Sequence, residues 1–246
     1  MKVIQVKDYE EMSRAAAQYI IQKVQQNPSI TLGLATGGTP IGTYQHLIED
    51  HQKNHTSYQG VKTFNLDEYI GLSNDHPNSY HYYMDQELFN HIDIQKTNVH
   101  IPRGDQMDYE RECSYYEDLI EENEGIDLQI LGIGNNGHIG FNEPGTSFQS
   151  KTHLVNLTPS TREANARYFK SIEEVPTQAI TMGIGTIMKS KEVLLLISGD
   201  NKKDALFNLL HGEISENFPA SVLRNHPCVT IFADEQALKD IKINDN

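Results

Sequence analysis

Cysteine is nearly absent from this chain of 246 residues, which has only Cys113 and Cys228. They lie far apart and outside any CxxC or Cys/His spacing, which argues against a disulfide framework and a zinc site and fits a reducing cytoplasm. Basic residues are also scarce: 20 Lys and Arg stand against 34 Asp and Glu, a net charge of −14. That balance disfavours nucleic acid and anionic membrane surfaces as partners, so a phosphate-bearing ligand needs a local site. No apolar run approaches the roughly 18 residues of a membrane helix, and the opening MKVIQVKDYEEM lacks a signal-peptide core. No repeat, low-complexity tract or Pro/Gly-rich linker interrupts the chain, whose length suits one domain over 1–246.

What the chain does have is an alternation of short β-branched runs, at 3–6, 30–35, 61–65, 99–101, 128–133, 192–198 and 229–233, with helical patterns between them. This predicts an α/β fold, a mostly parallel open sheet with helices on both faces. Asp8 is placed to cap a first helix in which Met12, Ala15, Ala16, Tyr19, Ile20 and Val24 share one face. The run VLLLIS is apolar at successive positions, as a strand covered on both faces is, and reads as central. Residues 149–178 carry polar side chains, the helical stretch TREANARYF and few strand signals. They read as a helical lid, or as an ordinary surface helix with its connections.

Three strand ends carry candidate chemistry. In LATGGTP, Thr36, Gly37, Gly38 and Thr39 join a strand to a helix, where glycines allow close backbone approach and a helix start favours an anion. The segment has neither GK[ST] nor GxGxxG, so it is a phosphate cradle of another kind or a purely connecting turn. In FNLDEYIGL, Asp67 and Glu68 follow the run at 61–65, beyond the carboxyl end of a strand, where open parallel sheets gather ligands. Asp67 could take a proton from carbon; the competing reading is a solvated turn, and Glu68 could be purely structural. In LGIGNNGHIGFNEPG, residues 131–145, four glycines surround His138 with Glu143 nearby. A histidine oriented by a carboxylate can move protons between oxygens, and the glycine density argues against an ordinary packed strand end. Further on, Arg162, Arg167, Lys202 and Lys203 are each able to complete a phosphate site or to be a surface charge.

Taken in order, LATGGTPIGTY, TFNLDEYIGL with HPNSYHYYM, LGIGNNGHIGFNEPG, LTPSTREANARYF and MGIGTIMKSKEVLLLISG resemble the glucosamine-6-phosphate deaminase family over nearly the whole chain. The resemblance implies a modified Rossmann-like fold. It also implies conversion of glucosamine 6-phosphate and water into fructose 6-phosphate and ammonia, in amino sugar catabolism, with no metal or organic cofactor. By the same resemblance Asp67 is the enolisation base, His138 the ring-opening acid/base and Glu143 its carboxylate partner. Thr36, Gly37, Gly38, Thr39, Arg167 and Lys202 fall on substrate-binding positions, mostly around the phosphate; Lys203 would need a shifted alignment.

Two departures from the family pattern refine this expectation. Asn136 stands where allosteric members carry Asp, and since an amide is no general base it reads as an orienting partner of His138. His153 and Val155 stand where those members present basic residues to N-acetylglucosamine 6-phosphate, and the chain stops short of their C-terminal extension. No activation by that effector is expected, and the assembly is expected to be a monomer or a small homo-oligomer. Three rivals remain: a 6-phosphogluconolactonase, disfavoured because it usually reads DER and GHxAS where this chain has Asp67-Glu68-Tyr69 and GHIGFNEPG; a galactosamine-6-phosphate deaminase/isomerase; and a non-catalytic sugar-phosphate sensor.

Overall fold

Asp8 caps the first helix as its position predicts. Its carboxylate accepts the Glu11 N–H at 2.9 Å, and helix α1 runs Tyr9–Gln26 behind strand β1, Lys2–Val6. A computed structural model describes residues 1–242 and every side chain there except those of Ser160 and Ala164. The chain continues through β2 (Thr31–Leu34), α2 (Ile41–Asn54), β3 (Lys62–Asn65), β4 (Asp67–Tyr69), α3 (Tyr80–Glu87), β5 (Val99–His100) and α4 (Tyr109–Glu122). It then forms β6 (Leu128–Leu131), β7 (His153–Asn156), α5 (Pro159–Asn165), β8 (Gln178–Thr181), α6 (Ile184–Ile187), β9 (Glu192–Ile197), α7 (Lys203–His211) and β10 (Val229–Asp234).

Seven strands form one sheet in the order β1-β10-β9-β6-β2-β3-β5, each neighbour parallel to the next. All seven runs read from the sequence are in it. The strand order puts β6 in the middle and β9, the VLLLIS strand, beside it. Alternation along each strand sends successive side chains to opposite faces. On one face Leu34, Ile130, Leu194 and Leu196 pack with Met12 and Ile20 of α1 and Leu47 of α2. On the other, Leu131, Val193 and Leu195 pack with Tyr116 and Ile120 of α4 and Leu206 and Leu209 of α7. Covering both faces is what makes β9 read as an unbroken apolar run from Val193 to Ile197.

A second, antiparallel sheet, β4-β8-β7, stands at the carboxyl end of the first. Here the structure adds to the sequence reading. Asp67–Tyr69 is a buried strand rather than a turn, with Asp67 opposite Thr181. The 149–178 segment holds strand β7 as well as helix α5, so its helical part begins only at Pro159. No helix among the described residues is long and apolar enough to cross a membrane.

Leu195 is fully buried in the middle of the apolar face that carries β9. Leu195→Ala is expected to destabilise the fold by about 2–5 kcal/mol, through lost burial plus the cavity left behind. The denaturant midpoint measures this, with the m value unchanged.

Candidate active site

Loops leave every parallel strand at the same end of the sheet, and there they enclose a cavity of about 550 Å³. Its walls include Thr36, Gly37 and Thr39 after β2, Asp67 on β4, Asn136 and His138 after β6, Arg167 after α5 and Lys202 after β9. The sequence candidates thus converge from five separate parts of the chain. Gly38 and Glu143 are not on the wall; Gly38 is an exposed residue between the wall residues Gly37 and Thr39, and Glu143 stands behind Asn136, which bonds it. Arg162 is elsewhere, bonded to the carbonyls of Ile172 and Val175, and Lys203 pairs with Asp240 at 2.6 Å.

Asp67 is 6% exposed and, among the described residues, receives no side-chain hydrogen bond. Burial, and secondarily the charge of Glu68, push its pKa up to about 8. Glu68 is differently placed. It accepts the backbone N–H groups of Tyr69 (2.8 Å), Tyr80 (3.0 Å) and His81 (3.1 Å), and its Oε2 lies 2.8 Å from His81 Nδ1. One carboxylate is saturated and ties β4 to the start of α3, while its neighbour is left bare facing the cavity. Close packing over Asp67 depends on Gly140, at φ +57°, where an added Cβ would stand 3.0 Å from Thr181 Oγ1 and 3.5 Å from Asp67 Oδ2.

His138, Asn136 and Glu143 form a chain of hydrogen bonds. Asn136 Nδ2 donates to Glu143 Oε2 at 2.8 Å, and Asn136 Oδ1 lies 2.7 Å from His138 Nδ1 and accepts the His138 backbone N–H at 3.2 Å. A carboxylate only accepts, which fixes the amide orientation. The amide oxygen only accepts, which puts the imidazole proton on Nδ1 and leaves the Nε2 lone pair free. Glu143 is held from behind by the Thr161 hydroxyl. Burial holds the His138 pKa below its usual value, partly offset by Glu143, with Lys202 adding to the depression.

Lys202 donates to the Ile133 carbonyl at 2.9 Å, and burial together with Arg167 lowers its pKa. Two cations converging in a partly dry pocket favour an anion between them. The turn that presents Lys202 passes through Gly199 at φ +97° and is clamped by buried Asp234, which accepts from the Ser198 hydroxyl (2.5 Å), Gly199 N (3.0 Å) and Ala237 N (2.8 Å). The Arg167 guanidinium stacks on the Tyr168 ring, 4.7 Å from its centroid.

Sequence reasoning missed Tyr80, Asn135, Thr161, Asn165 and Asn201, which also line the cavity. Tyr80 lay in HPNSYHYYM and Thr161 and Asn165 in LTPSTREANARYF, so the motifs were visible, but which of their polar side chains turns inward is a tertiary fact. No group of three or more His, Cys, Asp or Glu among the described residues is arranged to hold a metal ion.

The family model described as glucosamine-6-phosphate isomerases/6-phosphogluconolactonase matches residues 7–231. The chain is 58% identical over 246 residues, all of both chains, to a glucosamine-6-phosphate deaminase of Halalkalibacterium halodurans. It is 54% identical over 237 residues to glucosamine-6-phosphate deaminase 1 of Bacillus subtilis, covering 96% of this chain and 98% of that one. A solved structure of a monomeric glucosamine-6-phosphate deaminase superposes with a TM-score of 0.95 at 54% identity, over 96% of this chain and 98% of that chain. A 6-phosphogluconolactonase from Trypanosoma cruzi shares the fold alone, with a TM-score of 0.80 at 20% identity over 98% of this chain and 97% of that chain.

The bare carboxylate of Asp67 has a consequence for stability. Its folded pKa of about 8 lies above the ordinary 3.8, so between these values the folded state holds a proton that the unfolded state has lost, and stability falls as pH rises. Asp67→Asn is therefore expected to be stabilised relative to the parent by a margin that grows from about pH 4 and levels off above about pH 8. Thermal midpoints of the two proteins across that range measure it; a constant margin would contradict it.

Proposed function

The chain belongs to the glucosamine-6-phosphate isomerase/6-phosphogluconolactonase family, and on that premise we propose that it deaminates glucosamine 6-phosphate, yielding fructose 6-phosphate and ammonia. The observation that carries the reading is the pairing, in one cavity, of an unpartnered carboxylate at Asp67 with an imidazole at His138 whose tautomer is fixed. The reaction needs two kinds of proton transfer, one on oxygen to open the pyranose and one on carbon to isomerise it, and these two groups differ in the corresponding way.

In this reading Thr36, Gly37, Gly38, Thr39, Arg167 and Lys202 hold the phosphate. His138 Nε2 takes the proton of the anomeric hydroxyl and returns one to the ring oxygen, with Asn136 and Glu143 keeping the ring oriented and stabilising the imidazolium formed. Once the aldehyde is free, Asp67 removes the C2 proton and delivers it to C1. The intermediate is an enolamine, and protonation at C1 turns it into a ketimine at C2. Water adds to that carbon, the C–N bond breaks, and ammonia leaves with C2 as the ketone. An amino sugar suits this site because a C2 ammonium supplies the positive charge that the bare Asp67 carboxylate lacks and draws its pKa down. Every step is proton transfer or hydrolysis, so the reading calls for no metal or organic cofactor.

The 149–178 segment, which carries Thr161, Asn165 and Arg167 to the cavity, is proposed to act as a lid over it. The protein is proposed to work in the cytoplasm as a monomer or small homo-oligomer, without binding nucleic acid or membrane.

Ammonia release coupled to fructose 6-phosphate formation, assayed with glucosamine 6-phosphate and galactosamine 6-phosphate in parallel, tests the activity and the epimer preference. Turnover of the gluco sugar is expected, with Asp67→Asn lowering kcat by about 10²–10⁴-fold. Ammonia from neither sugar would sink the reading. A second expectation concerns regulation: rate against substrate concentration should be hyperbolic and unmoved by N-acetylglucosamine 6-phosphate. Sigmoidal curves relieved by that compound would overturn it.

A further inference from the structure

Three tyrosines from three different helices converge on the LATGGTP loop. Tyr44 of α2 donates its hydroxyl to the Ala35 carbonyl at 2.5 Å, Tyr83 of α3 to the Gly37 carbonyl at 2.6 Å, and Tyr9 of α1 to the Gly38 carbonyl at 3.1 Å. Tyr9 also accepts the Gly42 N–H at 3.0 Å, joining the loop to the first turn of α2. Burial raises the Tyr44 and Tyr83 pKa values well above that of an ordinary tyrosine, so both remain donors over the whole working range.

A trans peptide is planar, with its C=O and the next N–H pointing in opposite directions, and the chain has no cis peptide bond among its described residues. Fixing the carbonyls of residues 35, 37 and 38 therefore fixes the N–H vectors of Thr36, Gly38 and Thr39, turned away from the tyrosines. Among the described residues none of these three N–H groups donates a hydrogen bond within the protein, and Thr36 and Thr39 are on the cavity wall. Gly37 at φ +87° allows the alternation of backbone conformation that lets successive N–H groups converge.

We infer that Tyr9, Tyr44 and Tyr83 are positioning residues that lock the loop carbonyls outward, so that the N–H groups of Thr36, Gly38 and Thr39 form a preorganised cradle for the substrate phosphate. This rests on the reading that the loop holds the phosphate. The lock contributes affinity without touching the reacting carbons, since the loop is oriented before the ligand arrives and pays no ordering cost on binding. It accounts for helices α1 and α3, neither of which follows the loop directly in the chain, each sending a hydroxyl to it.

Tyr→Phe variants test the lock, because they keep the ring and remove only the donor. Tyr83→Phe and Tyr9→Phe are each expected to raise KM for glucosamine 6-phosphate and the inhibition constant of inorganic phosphate by about 5–10-fold, the loss of one hydrogen bond. kcat should change less than twofold, and the double variant should exceed either single one. A merely structural role would lower the thermal midpoint and leave KM and phosphate inhibition unmoved. Backbone amide resonances of Gly38 and Thr39, followed as inorganic phosphate is added, separate the two levels of the argument. Shifts in the parent protein together with equal phosphate affinity in the folded Tyr→Phe variants would overturn the lock alone. No shift of those amides in the parent would overturn the phosphate-loop reading and the lock with it.

Discussion

The constraint on which the site depends is that Asp67 is buried without a partner. A carboxylate in low dielectric normally gains a cation or several N–H donors, or it takes up a proton. Glu68 follows the first course, with four donors; Asp67 follows the last, at a pKa of about 8. The second sheet accounts for the burial: β8 runs antiparallel to β4 and sets Thr181 opposite Asp67, while the loop after β6 closes over both at Gly140. Placing Asp67 on a strand instead of a turn restricts its backbone to one conformation. The rigidity of a sheet thereby substitutes for the hydrogen bonds that would otherwise hold the side chain.

Much of this architecture was legible in the chain. Strand β9 is apolar at successive positions from Val193 to Ile197 because helices cover both faces, and the other six strands of the parallel sheet are marked by β-branched runs set between helical patterns; both signals are local. The three strands of the small sheet gave no comparable signal. β4 is the triplet Asp67–Tyr69, whose two acidic residues look like a solvated turn. They become strand residues only through pairing with β8, about a hundred residues later, and β7 joins from within a segment whose visible pattern is helical. Antiparallel pairing between distant short segments is set by tertiary contact and leaves little periodicity to read.

The site shows the same division. His138, Asp67 and the glycines of LATGGTP stand out because strand ends rich in glycine and titratable groups have few structural explanations. Tyr9, Tyr44 and Tyr83 do not stand out, since an aromatic residue at helical spacing reads as core. Tyr44 is indeed fully buried; its hydroxyl bond to the Ala35 carbonyl is what a buried tyrosine requires in any case. Only the convergence of three such hydroxyls on one loop separates positioning from ordinary satisfaction of buried polar atoms, and convergence is not encoded in spacing.

The amide at position 136 fits the same economy of charge. In the proposed reaction His138 has to be neutral to accept a proton, and burial and Lys202 favour that form while Glu143 opposes it. A carboxylate at 136, in direct contact with Nδ1, would bring a second negative charge to the ring and favour the imidazolium. Asn136 makes the same contact through a neutral oxygen and hands its N–H to Glu143, which stands 3.8 Å from Nδ1. The imidazole is therefore oriented by a neutral group, with the charge that stabilises its protonated form one step removed. A base with its tautomer fixed and its charge left free to change is what the proposed alternating proton transfer on the sugar oxygens demands.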